Sequence, residues 1–298
     1  MRSISKFGLA KMCGWFGITR QAYYANQNQT IQSALETCII IKEVKSIRNN
    51  HPAMGGRKLY AKLKQQLRLH QVKIGRDTFF KLLKANNLLI RKRKRLPKTT
   101  NSFHSYRKYP NLIRGYRPTQ PNEVWASDIT YWRFKDRHLY LSFITDLYSK
   151  KIVGYQLGET LDARHSLKAL RNALRDNDDI IPRIHHSDRG TQYCCADYTD
   201  ELFKNQITVS MTESGDPLEN AVAERVNGII KTEYLSFYKP KTIAQAKKML
   251  RRAVELYNQD RPHLSIEYNT PEFVHASAIE TKRIWKSYYN KNEPVQLY

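Results

Sequence analysis

Asp128, Asp188 and Glu224 are the residues whose types and surroundings could do chemistry together, with 35 residues between the last two. Three carboxylates offer hard oxygen ligands that suit Mg²⁺. Two such ions about 3.5 to 4 Å apart stabilise the attacking oxygen, the leaving oxygen and the developing charge of a phosphodiester under attack. The chain has 27 acidic residues, so spacing alone does not select these three. Their neighbours do. Asp128 lies in Trp125-Ala-Ser-Asp-Ile-Thr-Tyr-Trp132, whose β-branched and aromatic residues predict a strand. Asp188 follows the apolar run Ile180 to Ile184 and precedes Arg189-Gly190, as at a strand end. Strand ends are where α/β folds mount their ligands.

The glutamate is chosen by helix geometry. Asp216-Pro217 predicts the start of a helix that runs to about Tyr234. At about 100° per residue, Leu218, Ala221, Val222, Val226, Ile229 and Ile230 form an apolar stripe suited to packing on a sheet. Glu219 and Glu233 lie toward that stripe, whereas Glu224 faces a polar cleft. Asn220, Asn227 and Lys231 share its side and are the expected DNA contacts there, Lys231 meeting a phosphate. No Ser/His/Asp or Cys/His arrangement supplies a protein nucleophile, and two-metal chemistry requires none. His185 and His186, beside Asp188, read as structural residues of the strand end, with a metal or acid-base role for His186 as the alternative.

These residues need a scaffold. Residues 124 to 134, 138 to 147 and 151 to 158 predict three strands joined by short polar turns, hence an antiparallel meander. A helix from about Asp162 to Arg175 follows, then a strand near 181 to 186, a helix near 195 to 205, a short strand at Ile207 to Ser210 and the glutamate helix. Three antiparallel strands followed by alternating helices and strands describe a ribonuclease H-like α/β core, assigned to residues 122–276. A further amphipathic helix is expected from about Thr242 to Tyr257, with Arg261-Pro-His263 in a loop after it. Arg261 and His263 read either as DNA contacts near the site or as a packed turn closing the domain.

The motifs resemble a known family. Trp125 to Trp132, His186-Ser-Asp-Arg-Gly-Thr-Gln-Tyr193, Leu218-Glu-Asn-Ala-Val-Ala-Glu-Arg225 with Lys231-Thr-Glu233, and Tyr257-Asn-Gln-Asp-Arg-Pro-His263 with Thr270-Pro271 closely resemble the integrase-like bacterial insertion-sequence transposases. The match is closest to the OrfB type of the two-reading-frame, or IS-three, family. Met54-Gly-Gly-Arg-Lys-Leu-Tyr60 and Gly17-Ile-Thr-Arg-Gln-Ala-Tyr-Tyr24 extend the resemblance over nearly the whole chain, although an aromatic residue is more usual near the first glycine of Gly55-Gly56. The resemblance implies a DDE catalytic core with Asp128, Asp188 and Glu224 as catalytic and metal-binding carboxylates, and Lys231 as the basic residue seven places on. It also implies two Mg²⁺ ions, replaceable by Mn²⁺, and a copying route through a circular intermediate. Assembly as a homo-oligomer on DNA is expected, with an OrfA-type partner or fusion supplying a further helix-turn-helix and a coiled coil.

The charge distribution agrees with a nucleic-acid partner. Residues 1 to 117 carry 26 Lys/Arg against three acidic residues, and the remaining 181 residues carry 25 against 24, so nearly all of the formal +24 lies in the first part. That part is the expected electrostatic grip on DNA. Residues 1–34 predict a helix-turn-helix-like hairpin with Thr19 as an N-cap, and 35–90 a trihelical DNA-binding module whose third helix starts near Asp77. Residues 91–121 form a basic, proline-containing linker opened by Arg91, Lys92, Arg93, Lys94 and Arg95, all expected DNA contacts, and residues 277–298 a basic tail. Tyr106, Tyr109 and Tyr116 read either as base-stacking residues or as anchors onto the core.

Four cysteines with no zinc-ligand spacing argue against a zinc module and a disulfide scaffold. No apolar run approaches the roughly 18 residues that span a membrane, and no signal peptide is visible at Met1 to Leu9, so a cytoplasmic, nucleoid-associated bacterial protein is expected. The activity expected is a DNA transposase that exposes a 3′-hydroxyl at an element end and directs it at another phosphodiester. A nuclease that stops at hydrolysis and a catalytically silent DNA-binding regulator are the alternatives.

Overall fold

Unbroken helical sequence shapes the N-terminal part. The computed structural model of the chain describes residues 8–90, 105–177, 182–213 and 217–281. The Arg91 to Arg95 run and the tail beyond Thr281 therefore lie outside the described residues. Helix α1 (Leu9–Trp15) is followed by a left-handed Gly17 (φ +66°) and by α2 (Arg20–Asn50). Thr19 caps α2 as expected, its Oγ1 accepting from the Ala22 amide at 3.1 Å. The hairpin and the first helix of the trihelical module were expected as separate elements with a boundary after residue 34. Instead α2 is one helix of 31 residues, because Gln21 to Asn50 contains neither glycine nor proline and Pro52 is the first breaker. Helices α3 (Gly56–Leu69) and α4 (Arg76–Ala85) follow, α4 starting one residue before the expected Asp77.

Two compact units divide the chain: Met1–Asn49 with Lys62–Leu89, and Asn50–Ala61 with Ile90–Tyr298. The first unit buries Ile40, Val44 and Ile47 of α2, Leu63 and Leu67 of α3 and Phe79 and Leu83 of α4. The second unit carries all five strands: β1 (Val124–Phe134), β2 (Arg137–Asp146), β3 (Ile152–Gly158), β4 (Ile184–Ser187) and β5 (Thr208–Met211), in the order β3-β2-β1-β4-β5. The first three form the antiparallel meander, and β4 runs parallel to both β1 and β5. Between β3 and β4 lies α5 (Ala163–Arg175), N-capped by the Asp162 carboxylate. It packs so closely on β3 that a Cβ at Gly154 would stand 2.5 Å from the Ala169 carbonyl oxygen. Helices α6 (Thr191–Cys194) and α7 (Ala196–Lys204) connect β4 to β5.

After β5 the chain makes a 3-10 turn (Pro217–Asn220), α8 (Ala221–Ile229), a π-helical turn (Ile230–Tyr234) and a second 3-10 turn (Leu235–Phe237). A long helix, α9 (Ile243–Gln259), then leads to α10 (Pro271–Ser277), which adds to the expected elements and begins in a Thr270 cap with Pro271 at its first position. Strand parity separates two cores. Trp132, Phe134, Leu139, Leu141 and Phe143 pack with Val226, Ile229 and Ile230 and with α9 residues on one face. Trp125, Ile144 and Val153 pack with α5, Tyr193, Tyr198 and Leu202 on the other. The linker tyrosines serve as anchors: the Tyr109 ring meets Phe203 edge-on at 6.1 Å, and the Tyr116 hydroxyl donates to Glu123 Oε2 at 3.2 Å. Among the described residues no helix is long and apolar enough to cross a membrane.

Candidate active site

Asp128 and Asp188 converge because of register. The last residues paired between β1 and β4 are Ala126 and His186, and each aspartate lies two positions further on, Asp128 within β1 and Asp188 just past the end of β4. Side chains two apart share a face, and neighbouring strands run about 4.8 Å apart, so the two carboxylates emerge side by side. Asp128 has the parity of Trp132 and Phe134, which places it on the face covered by α8. Helix α8 carries Glu224 in its first turn, and its buried Ala223, Val226 and Ile229 seat it on the sheet. The opposite face is fastened by a buried cluster in which the Ser127 hydroxyl meets His185 Nε2 at 2.7 Å and the Tyr198 hydroxyl meets the same nitrogen at 3.0 Å.

The carboxylates feel one another. Burial, then the charge of Asp188, then that of Glu224, push the Asp128 carboxyl up to about 8, well above its ordinary value near 3.8. Two donors oppose this: the Ile129 amide bonds Asp128 Oδ1 and the Asn227 amide bonds Oδ2, each at 2.9 Å. Asp188 Oδ1 accepts from the Gly190 amide at 3.0 Å. Such converging like charge is a donor set for a hard divalent cation. Among the described residues no group of three or more His, Cys, Asp and Glu side chains is placed so that it could hold a metal ion. Mg²⁺ needs no closed cage of protein ligands, because it keeps several waters and takes one or two carboxylates together with substrate phosphates. His185 and His186 are held down at about 3 and about 4, chiefly by burial, and stay neutral inside the sheet.

The structure revises the neighbours. Asn220 and Asn227, expected to face DNA, are 6% and 4% exposed. Asn220 donates to the Ser127 carbonyl at 2.9 Å and Asn227 to Asp128, so both amides tie the glutamate helix to β1. The first turn of this helix is 3-10, which rotates Asn220 away from the position a continuous α-helix would give it. Asn227 shares a face with Glu224, and that face looks at the Asp128 carboxylate. Lys231 is half-buried, with its ammonium 3.8 Å from the centre of the Tyr131 ring. Burial lowers its pKa, and Asp128 works against that.

Arg261 and His263 are likewise internal, not DNA contacts. Arg261 is 1% exposed and grips Glu233 with two hydrogen bonds of 2.8 Å, and Lys58 adds a third of 2.8 Å to the same carboxylate. A guanidinium so enclosed cannot reach a phosphate. The buried His263 ring meets Tyr257 edge-on at 5.0 Å. Around them the Tyr257 to His263 motif fastens the unit: Asn258 pairs with both backbone groups of Ile152, and Asp260 bonds His51, whose other ring nitrogen meets the Tyr234 hydroxyl at 2.9 Å. Sequence reading missed Asn227 as an orienting group, Tyr131, and the roles of His51 and Lys58. Only Asn227 carried a local signal, its position one helical turn after Glu224.

Comparison with known proteins gives the arrangement its family. A family model described as Integrase core domain matches residues 118–217, and a second of the same description matches residues 205–271. The insertion element IS600 uncharacterized 31 kDa protein of Shigella sonnei is 34% identical over 257 residues, spanning 85% of this chain and 93% of that protein. The transposase for insertion sequence element IS629, also of Shigella sonnei, is 26% identical over 263 residues, spanning 86% and 87%. Among solved structures, the simian T-cell lymphotropic virus intasome in complex with PP2A regulatory subunit B56 gamma aligns over 78% of this chain and 79% of that chain, with a TM-score of 0.50 at 18% identity. That likeness is one of fold, the ribonuclease H-like integrase core. The chain belongs to the bacterial insertion-sequence transposases, DDE-type polynucleotidyl transferases built on an integrase core.

Proposed function

We propose that this transposase cuts DNA at the ends of its element and joins the exposed 3′-hydroxyl to a second phosphodiester, at a site formed by Asp128, Asp188 and Glu224. The observation that carries the reading is the convergence of Asp128 and Asp188, each two residues past the last β1–β4 pair, under the helix that bears Glu224. In the first reaction water displaces one bridging oxygen and leaves a 3′-hydroxyl. In the second that hydroxyl displaces another, so one phosphodiester forms for each one broken. Two Mg²⁺ ions held by the three carboxylates, with Mn²⁺ as a substitute, would stabilise the charge on the transferring phosphoryl group and activate the attacking oxygen. The chain's own residues hold the geometry: Asn227 and the Ile129 amide orient Asp128, the Gly190 amide orients Asp188, and Lys231 takes a phosphate of the DNA end.

The basic N-terminal part, with 26 Lys/Arg against three acidic residues, supplies sequence-independent attraction to the duplex. An OrfA-type partner and a circular intermediate fit the same reading. The test uses labelled DNA carrying the element ends, with Mg²⁺, scored for cut and for joined products. Asp128→Asn, Asp188→Asn and Glu224→Gln should each abolish both products and leave DNA binding within a small factor of wild type. Products that are cut and never joined would replace the reading with that of a nuclease, and activity surviving in any of the three variants would refute the site.

A further inference from the structure

We infer that Tyr131 is a positioning residue for Lys231: its ring face holds the ammonium beside the carboxylate cluster before DNA arrives. The inference rests on the reading of Lys231 as a contact to a phosphate of the DNA end. A lysine carries its charge on a flexible four-carbon stem, and an ammonium left to wander must be ordered at the moment of binding. Here Nζ stands 3.8 Å from the Tyr131 ring centre, well inside the range of cation–π attraction. The charge of Asp128 acts on the same ammonium.

The ring is itself set in place. Tyr131 lies opposite Tyr140 in the β1–β2 ladder, and His138, a diagonal neighbour on β2, meets the ring edge-on at 5.2 Å. Strand β4 accompanies β1 only from Val124 to Ala126, so past Asp128 the β4 side of β1 has no partner strand. A phosphate approaching the aspartates thus meets a cation already in position, and needs no protein rearrangement to recruit it.

The experiment measures, with the full-length chain, Mg²⁺ and the labelled end duplex, the rate of cutting as a function of DNA concentration. Removing the ring face with Tyr131→Leu should raise the half-saturating DNA concentration ~5- to 10-fold, as expected for losing a partly desolvated cation–π contact. The rate at saturation should stay within about twofold of wild type. Tyr131→Phe keeps the face and should behave as wild type. In a Lys231→Ala background Tyr131→Leu should add nothing further. Tyr131→Val, β-branched and suited to a strand, is a second ring-less variant, and both are compared with wild type for their unfolding midpoints. A Lys231→Ala defect with an unaffected Tyr131→Leu overturns the inference alone, as does a Tyr131→Leu effect that persists undiminished without Lys231 or that appears as a lower rate at saturation. An unchanged half-saturating concentration for Lys231→Ala overturns the phosphate reading and the inference with it.

Discussion

Glu224 and Glu233 sit nine residues apart on one continuous helical segment, yet the structure gives them opposite jobs, and substituting each by glutamine separates the two. Nine residues, the first six steps at about 100° each and the last three in the wider π turn, carry a side chain round to another side of the segment. Glu233 therefore enters the interior, 12% exposed, against Arg261 and Lys58. Burial alone would raise its pKa, but the hydrogen bonds and charge of Arg261, followed by those of Lys58, hold the carboxyl down at about 2. An ordinary glutamate titrates near 4.5. The difference corresponds to ~3 kcal/mol of stability at about 1.4 kcal/mol per pH unit. Removing one partner of a buried pair costs about 3 to 5 kcal/mol, which agrees. Because the folded-state pKa is depressed, the contribution is complete above the unfolded value near 4.5 and disappears as pH falls through about 2. In urea titrations followed by tryptophan fluorescence, Glu233→Gln should thus lie ~3 kcal/mol below wild type at neutral pH, and the gap should close between about pH 5 and pH 2. Glu224→Gln, at an exposed position, should leave the midpoint at or slightly above the wild-type value while abolishing product. Equal stability of Glu233→Gln and wild type at neutral pH, or a gap that persists at pH 2, would refute the assignment of Glu233 to a buried ion network.

Two further outcomes follow from the same electrostatics. Lys58 is pushed down to about 8, first by burial and then by the charge of Arg261, so its attraction to Glu233 does not repay its desolvation and at neutral pH, where the ammonium is charged, folding it costs free energy relative to the unfolded chain; Lys58→Met should be within ~1 kcal/mol of wild type at neutral pH, or more stable, by the same urea titration. Asp128 is raised to about 8, so its contribution to stability is complete below its unfolded value near 3.8 and is lost as pH rises through 8; without divalent cations Asp128→Asn should be the more stable protein at pH 8.5, by ~1 to 3 kcal/mol, and thermal melts with added Mg²⁺ should show wild type gaining on it.

Much of the core was legible in the sequence because its signals are local. Alternating apolar residues on β1 to β3 mark one strand each, and their polar turns are short enough to force an antiparallel meander. Both aspartates stand out as acidic residues in or after apolar, β-branched runs. Glu224 was found by treating residues 218 to 234 as one regular helix, although the segment is 3-10 at its start and π at its end. Helix α8, which carries Glu224, is itself regular, while Asn220, in the irregular turn, was misplaced. Arg261 misled for a different reason. A basic residue in a loop of a DNA enzyme reads as a phosphate contact, and its true partner lies 28 residues back, where no periodicity points to it. The break expected within α2 is not there, and the absence of glycine and proline between Gln21 and Asn50 is the better guide.

The internal fastenings and the exposed chemistry are parts of one arrangement. Gathering three carboxylates raises the free energy of the fold, as the displaced titration of Asp128 records, so whatever holds them together must outweigh their repulsion until a cation arrives. The segment carrying Glu224 is tied down along its whole length. Asn220 bonds β1 at its start, Asn227 bonds Asp128 at its middle, and Glu233 and Tyr234 are gripped by Arg261, Lys58 and His51 at its end. The π turn belongs to this scheme, because its extra residue in the winding lets side chains two positions apart serve different partners: Lys231 reaches the Tyr131 ring while Glu233 enters the core. Polar residues that sequence reading assigned to DNA thus act one step removed from it, fixing the carboxylates from inside.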